Sequence, residues 1–303
     1  MRILFVISLL LLSIDILAQN KDTEFLIKNK LTPTGTIHLG EGLFFDEAEV
    51  ANIHWLEFLY FVKRDSSESY FKTILPDTTV SWPFRKIDIL IDDYKIDSTG
   101  YTFNTLNYSK HYLRNPIYRF YPVVGISYYQ AQQYCLWRSR MVSHSVNQTL
   151  KKGEKNFTIQ YTYYLPSKEE WLKATDSYIV RRTLDKKTSK VLKKLIKNYD
   201  RSTTFYNASI KQNLPIIYNR NILIDATSFI GYIYTNGSNS KGLFNTLGNV
   251  SELTSVPRVA FGGSWFNTYE EIISKKFFEY EGPNSLLGFR CACKVEILEN
   301  SPR

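Results

Sequence analysis

The spacing of apolar residues changes several times along this chain, and each spacing predicts an element. Gly35-Thr36-Ile37-His38-Leu39 alternates apolar and polar and reads as a short strand. After the acidic run Asp46-Glu47-Ala48-Glu49-Val50, the residues Trp55, Phe58, Leu59 and Val62 recur at helical spacing and share one aromatic-rich face. The acids ahead of them suit the positive end of a helix dipole. Residues 63–120 are polar and tyrosine-rich, with Leu75-Pro76-Asp77-Thr78-Thr79-Val80 as a turn feeding a strand. Tyr121 to Ile126 is an extended apolar run, closed by Ser127 as the cap of a helix over Tyr128 to Arg138 whose inner face is Ala131, Tyr134, Cys135 and Trp137. Ser167 and Glu170 stand three apart at the start of another helix and predict a capping box. Residues 225–293, rich in glycine, asparagine and aromatics, read as loops and short strands. There is no internal repeat.

The first residues change the picture of where the chain works. Arg2, the apolar stretch Ile3 to Ile14, Asp15 and Ala18 stand in the order of a secretory signal, with cleavage expected after Ala18. That apolar stretch is about a dozen residues, whereas a spanning helix needs roughly 20. No later segment is long and apolar enough to span, so the expectation is an exported, soluble protein of the periplasm or cell envelope, an oxidising compartment. No cysteine stands near the cleavage position, so a lipid-attached form is not expected.

A composition of 44% hydrophobic and 15% aromatic residues excludes a disordered chain. The net charge of +9 is concentrated between Arg181 and Arg201, where nine basic residues face only Asp185 and Asp200. Leu184, Val191, Leu192, Leu195 and Ile196 fall near helical spacing there, so the stretch reads as a basic amphipathic helix. A solvated helix packed by one face is the first reading. The functional one is a docking surface, through Lys186, Lys187, Lys190, Lys193, Lys194 and Lys197, for an acidic partner or an anionic membrane surface. Nucleic acid is not an expected partner of an exported protein. Three cysteines, Cys135, Cys291 and Cys293, permit one disulfide and leave one thiol. Zinc is disfavoured because only Ala292 separates Cys291 from Cys293 and no histidine is near. His38, His54, His111 and His144 share no ligand spacing that would suit iron, and nucleophile-elbow and phosphate-loop motifs are absent.

Five blocks, taken together, resemble the formylglycine-generating-enzyme (sulfatase-modifying-factor) family in order and spacing. They are Pro122-Val123-Val124-Gly125-Ile126-Ser127-Tyr128 with Ala131 and Tyr134-Cys135-Leu136-Trp137; Leu165-Pro166-Ser167-Lys168-Glu169-Glu170-Trp171; Gly242 to Glu252; Gly262-Gly263-Ser264-Trp265; and Gly288-Phe289-Arg290-Cys291. The resemblance implies an α+β fold related to C-type-lectin-like folds, with little regular structure, as one domain over 34–297. Around it the expected parts are a signal peptide over 1–18, a short linker over 19–33, the basic insert at about 181–201 and a tail over 298–303. It implies pairing of Cys135 with Cys291, leaving Cys293 over. It also implies a structural calcium ion held by the side chains of Asn245 and Glu252 and the carbonyls of Gly248 and Val250, hard oxygen donors on one tight loop. A second family site would fall on Asn207 and Asp225, whose flanks depart from the pattern.

Catalysis in the family needs two cysteines after the Gly-Gly-Ser block, because soft thiolates hold the copper that activates oxygen. Asn267 and Ile272 stand at those positions here, and Lys275 to Tyr280 replaces the arginines of the substrate groove. Copper and formylglycine formation are therefore not expected. Within the fold, Leu75 to Val80 followed by Tyr121 to Gly125, Gln130-Ala131 and Cys135 to Arg138 is similar to the gliding-motility lipoproteins of the type IX secretion apparatus. The leading expectation is a non-catalytic envelope protein that acts as a scaffold or binding component for envelope protein partners. The rivals are an oxidoreductase of the same fold with an altered metal site, and a lectin-like ligand-binding module.

Overall fold

The computed structural model describes residues 21–80, 111–152, 157–175, 203–206, 215–219, 222–223, 230–234, 238–267 and 277–299. Its amino-terminal part runs α1 (21–28), β1 (Thr36–His38), β2 (Phe44–Asp46), α2 (Asn52–Asp65), α3 (Glu68–Ile74), a 3-10 turn (Pro116–Tyr118), α4 (Tyr128–Lys152), β3 (Phe157–Tyr164) and α5 (Lys168–Thr175). Strands follow: β4 (Thr203–Tyr206), β5 (Pro215–Asn219), β6 (Ile222–Leu223), β7 (Ser251–Leu253), β8 (Val259–Phe261), β9 (Phe277–Glu279), β10 (Leu287–Gly288) and β11 (Ala292–Glu299). This is an α+β fold with strands grouped as β1-β2-β11-β3, β10-β7-β8-β9 and β4-β5-β6. The last long strand, β11, pairs antiparallel with β3 from Ala292 opposite Tyr164 to Glu299 opposite Phe157, and with β2 through Phe45 and Phe44. The carboxy-terminal end of the chain is thus the centre of the first sheet.

Strand β3 is the edge of that sheet, and an uncovered edge exposes backbone groups that invite pairing with other chains. Helix α4 covers it with polar side chains spaced four apart, which stand on one helix face. The N–H of Tyr163 donates to Ser139 Oγ (2.8 Å), that of Tyr161 to Ser143 Oγ (2.9 Å) and that of Ile159 to Asn147 Oδ1 (2.8 Å). Asn147 Nδ2 returns a bond to the Ile159 carbonyl at 2.8 Å. Helix α4 continues to Lys152, well past the expected end at Arg138, because Val142, Val146 and Leu150 carry its apolar face on into the main core while this polar ladder holds the face beside it.

The main core gathers on Trp55. Its indole stacks on Tyr134 (5.7 Å between centroids) and meets Phe58 (5.2 Å) and Phe289 (6.0 Å) edge-on, so α2, α4 and the approach to β11 share one aromatic knot. Each such pair contributes about 0.5–1.5 kcal/mol beyond the area it buries. The expected inner face of α2 is borne out: Trp55, Phe58, Leu59 and Val62 are all buried. A second cluster stacks Trp171 of α5 on Phe261 of β8 at 5.1 Å, with Phe45 and Leu243 against them.

Local signals at helix starts hold as well. Ser167 Oγ accepts the Glu170 N–H (3.2 Å) while Glu170 Oε2 accepts the Ser167 N–H (2.9 Å). Ser127 and Gln130 make the same reciprocal pair ahead of α4.

Two expectations change. Helix α2 begins at Asn52 with Ala51 as its cap and no acid in its first turn; Asp46 and Glu49 are instead buried, where partners distant in sequence meet them. Residues Leu75 to Val80 form the expected turn, fixed by the Asp77 N–H on the Gly125 carbonyl (2.7 Å) and by Asp77 Oδ1 accepting the Thr79 N–H (2.8 Å), and the strand expected to follow it lies outside the described residues. The stretch 19–33, expected as a linker, carries α1, whose Leu26 is buried in the main core; the Tyr161 hydroxyl donates to the Leu31 carbonyl (2.6 Å). The signal segment 1–18 and the basic stretch 181–201 lie outside the described residues. Among those described, no helix is long and apolar enough to cross a membrane.

Gly125 shows how tightly the loop at Asp77 is docked. Its φ is +72°, and an added Cβ would lie 2.3 Å from the Asp77 carbonyl oxygen, a backbone atom that cannot swing aside. Gly125→Ala is expected to lower stability by about 2–4 kcal/mol. Gly282→Ala, where a Cβ meets nothing within 4 Å, is expected to stay within about 0.5 kcal/mol. Urea melts of the two variants check the contrast.

Candidate functional site

The chain segment entering β11 places Arg290 in the interior with no exposed surface. A buried guanidinium is tolerable only when all five of its N–H groups are met. Nε donates to Glu252 Oε2 (2.8 Å) and Nη2 to Glu252 Oε1 (2.5 Å) and the Phe244 carbonyl (2.7 Å), while Nη1 reaches the carbonyls of Asp46 (3.1 Å) and Glu47 (3.4 Å). Trp171 Nε1 also donates to Glu252 Oε2, at 3.0 Å. Burial works against the Arg290 charge, but Glu252, Glu49 and Asp46 around it outweigh that and hold its pKa above the ordinary value.

The loop between Phe244 and β7 closes over this pair. Asn245 and Asn249 adopt left-handed φ of 45° and 60°, a region asparagine tolerates better than most residues. Their side-chain amides converge on Glu49, Asn249 Nδ2 on Oε1 (3.0 Å) and Asn245 Nδ2 on Oε2 (3.2 Å). Glu49 is fully buried, and burial pushes its carboxyl up to about 7, with Arg290 opposing and Glu252 adding to the shift. Asn245 Nδ2 further donates to the carbonyls of Tyr232 (3.2 Å) and Ile233 (3.0 Å).

The four residues that the resemblance assigns to calcium therefore sit on one loop and its outgoing strand, against Glu49 and Arg290. Asn245 Oδ1 is buried without a hydrogen-bond partner, an orphan acceptor of the kind a cation satisfies. Glu252 keeps acceptor capacity on Oε1, which takes one N–H, whereas Oε2 takes two. The donor types suit calcium at Asn245 Oδ1, Glu252 Oε1 and the carbonyls of Gly248 and Val250.

A second ion pair, half-buried at Arg138 and buried at Asp46, lies alongside. Arg138 Nη1 meets Asp46 Oδ2 at 2.7 Å, and the same oxygen accepts the Cys291 N–H at 2.9 Å. Arg138 also lies over the Tyr163 ring, 4.1 Å from its centroid. Cys135 and Cys291 face one another as free thiols with sulfurs 3.6 Å apart. Burial, then the contact with Cys135, pushes the Cys291 thiol well up; burial likewise raises Cys293. Buried, protonated thiols are poor nucleophiles.

The position expected for a copper thiolate is occupied differently. Asn267 Oδ1 accepts both the N–H and the hydroxyl of Ser264, each at 2.9 Å, and so closes a turn. Ile272 lies outside the described residues, as do Asn207, Asp225 and the lysines from Lys186 to Lys197. Among the histidines, His54 Nδ1 accepts the Ala51 N–H (3.2 Å) and His38 leans on Phe44; among the described residues no three His, Cys, Asp or Glu side chains form a metal-binding cluster. Glu49 and Asp46 were not singled out as site residues in the sequence, nor was Arg290. One signal was present: an arginine inside the apolar run Leu286 to Ala292 can only be buried if an acid meets it.

Removing the guanidinium while leaving its partner leaves a buried carboxylate without a counter-charge. Arg290→Met is expected to cost about 3–5 kcal/mol in urea unfolding, and adding Glu252→Gln should recover part of that loss. An additive double variant would argue against direct coupling.

The chain from residue 15 to residue 295 matches the family model described as the sulfatase-modifying factor enzyme 1-like domain. No curated protein matches it. With more than nine-tenths of its length under that one model, the chain belongs to the sulfatase-modifying factor enzyme 1-like (FGE-sulfatase) family.

Proposed function

We propose that this chain is a non-catalytic member of its family, exported to the cell envelope, where it serves as a scaffold or binding component for other envelope proteins. The observation that carries the reading is the turn at Ser264 and Asn267. A side-chain amide closes the backbone where the family's oxidase chemistry needs a thiolate. The chain's three cysteines are all buried, and none of them stands at the two positions after the Gly-Gly-Ser block where the family's copper thiolates fall. The gliding-motility or type IX secretion kind of assembly is the finer version of this proposal, motivated by the likeness of the segments at Leu75 to Val80 and Tyr121 to Arg138 to lipoproteins of that apparatus.

In this reading calcium is structural. Held by Asn245, Gly248, Val250 and Glu252, it would pin the Phe244–β7 loop to the sheet and supply charge to the buried carboxylates. Cys135 and Cys291 would be joined as a disulfide in an oxidising compartment, with Cys293 left as a buried thiol.

Metal analysis of the purified mature protein should find calcium and no stoichiometric copper. A Cys-x-Pro-x-Arg peptide incubated with it and copper should show no formylglycine by mass spectrometry. Bound copper or any formylglycine product would overturn the reading. Calcium at about 100 times its Kd should raise stability by about 2.7 kcal/mol over the chelated protein, and Asn245→Ala should remove that gain. Equal melts with calcium and with chelator would remove calcium from the account. Peptide mapping without reductant should recover Cys135 and Cys291 in one linked fragment; free thiols at both positions would rule the bridge out.

A further inference from the structure

Beside the Arg290 cluster, the connection from β2 to α2 and the flank of α4 enclose a cleft of about 750 Å³. That lies within the roughly 300–1,000 Å³ that small-ligand sites occupy. Its walls carry four acids, Asp46, Glu47, Glu49 and Glu57, against one arginine, Arg138. Arg138 is already neutralised by Asp46 at 2.7 Å. Glu49 is committed to its two asparagines, but Glu47 takes only the Tyr234 hydroxyl (2.9 Å) and Glu57 is exposed. His54, also in the wall, adds no opposing charge, because burial and then Arg138 lower its pKa. A chain of net charge +9 thus carries a cavity of the opposite sign.

The wall also holds two polar atoms with nothing to bond. Asp46 is 4% exposed, and its Oδ1 is buried without a partner; Trp137 Nε1 is buried without one too. Neither atom reaches the cleft surface as the side chains stand, so each costs free energy until a turn of its side chain brings it to a ligand. Trp137, Tyr134 and Tyr234 add aromatic surface, which attracts cations. Among the described residues no three acidic, imidazole or thiol groups converge as metal ligands do. The acids are spread along the wall, which suits a cation with several N–H groups on a carbon frame better than a point charge.

We propose that this cleft binds a basic side chain, an alkylguanidinium or alkylammonium group, with the carbonyl beside it placed to accept from Trp137 Nε1. Glu47 and Glu57 receive the cation, and the occupant is a basic residue of a partner protein. The inference does not rest on the scaffold reading, because occupancy of the cleft is measured without any partner. Calorimetric titration of the full mature chain with N-acetyl-arginine methylamide tests it, against the citrulline analogue, which is isosteric and neutral, and agmatine, which keeps the cation and lacks the carbonyl. The arginine probe should bind about tenfold more tightly than the citrulline analogue, and Glu47→Gln with Glu57→Gln should abolish that preference without changing the melt of the free protein. Trp137→Phe should weaken the arginine probe and leave agmatine unchanged. Equal binding of the arginine and citrulline probes, or no binding of either at ~10 mM, would overturn the proposal. Agmatine binding as tightly as the arginine probe would overturn the protein-side-chain assignment in favour of a free amine.

Discussion

A guanidinium without access to water must have every N–H answered inside the protein, and Arg290 imposes that condition on the rest of the molecule. Its five bonds end on Glu252 of β7, on the carbonyls that follow β2 and on the loop at Phe244, segments separated by up to 244 residues. None of these can shift without uncovering a donor, so the two main sheets are held in one relation. The adjacent pair of Arg138 and Asp46 extends the same logic to α4, because Asp46 also accepts the Cys291 N–H. Buried ion pairs are weak evidence for net stability. Their clearer effect here is on specificity, since an alternative packing would have to bury Arg290 without its acid.

The parts of this arrangement that were legible in the sequence are those whose cause lies within a few residues. The apolar face at Trp55, Phe58, Leu59 and Val62 needs only helical spacing, and the reciprocal bonds of Ser167 and Glu170 need only the interval of three. The acidic run at Asp46 to Glu49 was visible, but its reason was not. A local reading assigned it to the dipole of the next helix, whereas the amides that meet Glu49 come from Asn245 and Asn249, about 200 residues away. The length of α4 was hidden for a related reason. Val142, Val146 and Leu150 do extend the apolar face past Arg138, but Ser139, Ser143 and Asn147 stand among them, and only the position of β3 makes those polar residues an inner face too. The candidate calcium loop was legible as a set of donors on one segment, but the arginine that shares Glu252 with them was not.

The family's architecture survives here with a different emphasis at one turn. The glycine-rich block before Asn267 still makes its close approach: a Cβ on Gly262 would lie 2.8 Å from the Thr246 carbonyl oxygen, so this strand end and the Asn245 loop are fitted to each other. The Gly262 approach and the Ser264–Asn267 turn thus fix the described part of this segment against the Asn245 loop.

The contact between α4 and β3 has a further consequence in its dimensions. Four residues of helix advance about 6.0 Å, and two residues of strand about 6.6–6.8 Å. The two scales run together like a vernier, slipping by less than about 1 Å per rung. Three successive rungs stay within bonding range, and a longer series would drift out of phase. The overlap of helix and strand is thereby gauged: a residue inserted into either element between the first rung and the last would put the remaining rungs out of step. The spacing of rungs thus fixes the length of this helix–strand seam, and a residue could be added only outside it without breaking a rung.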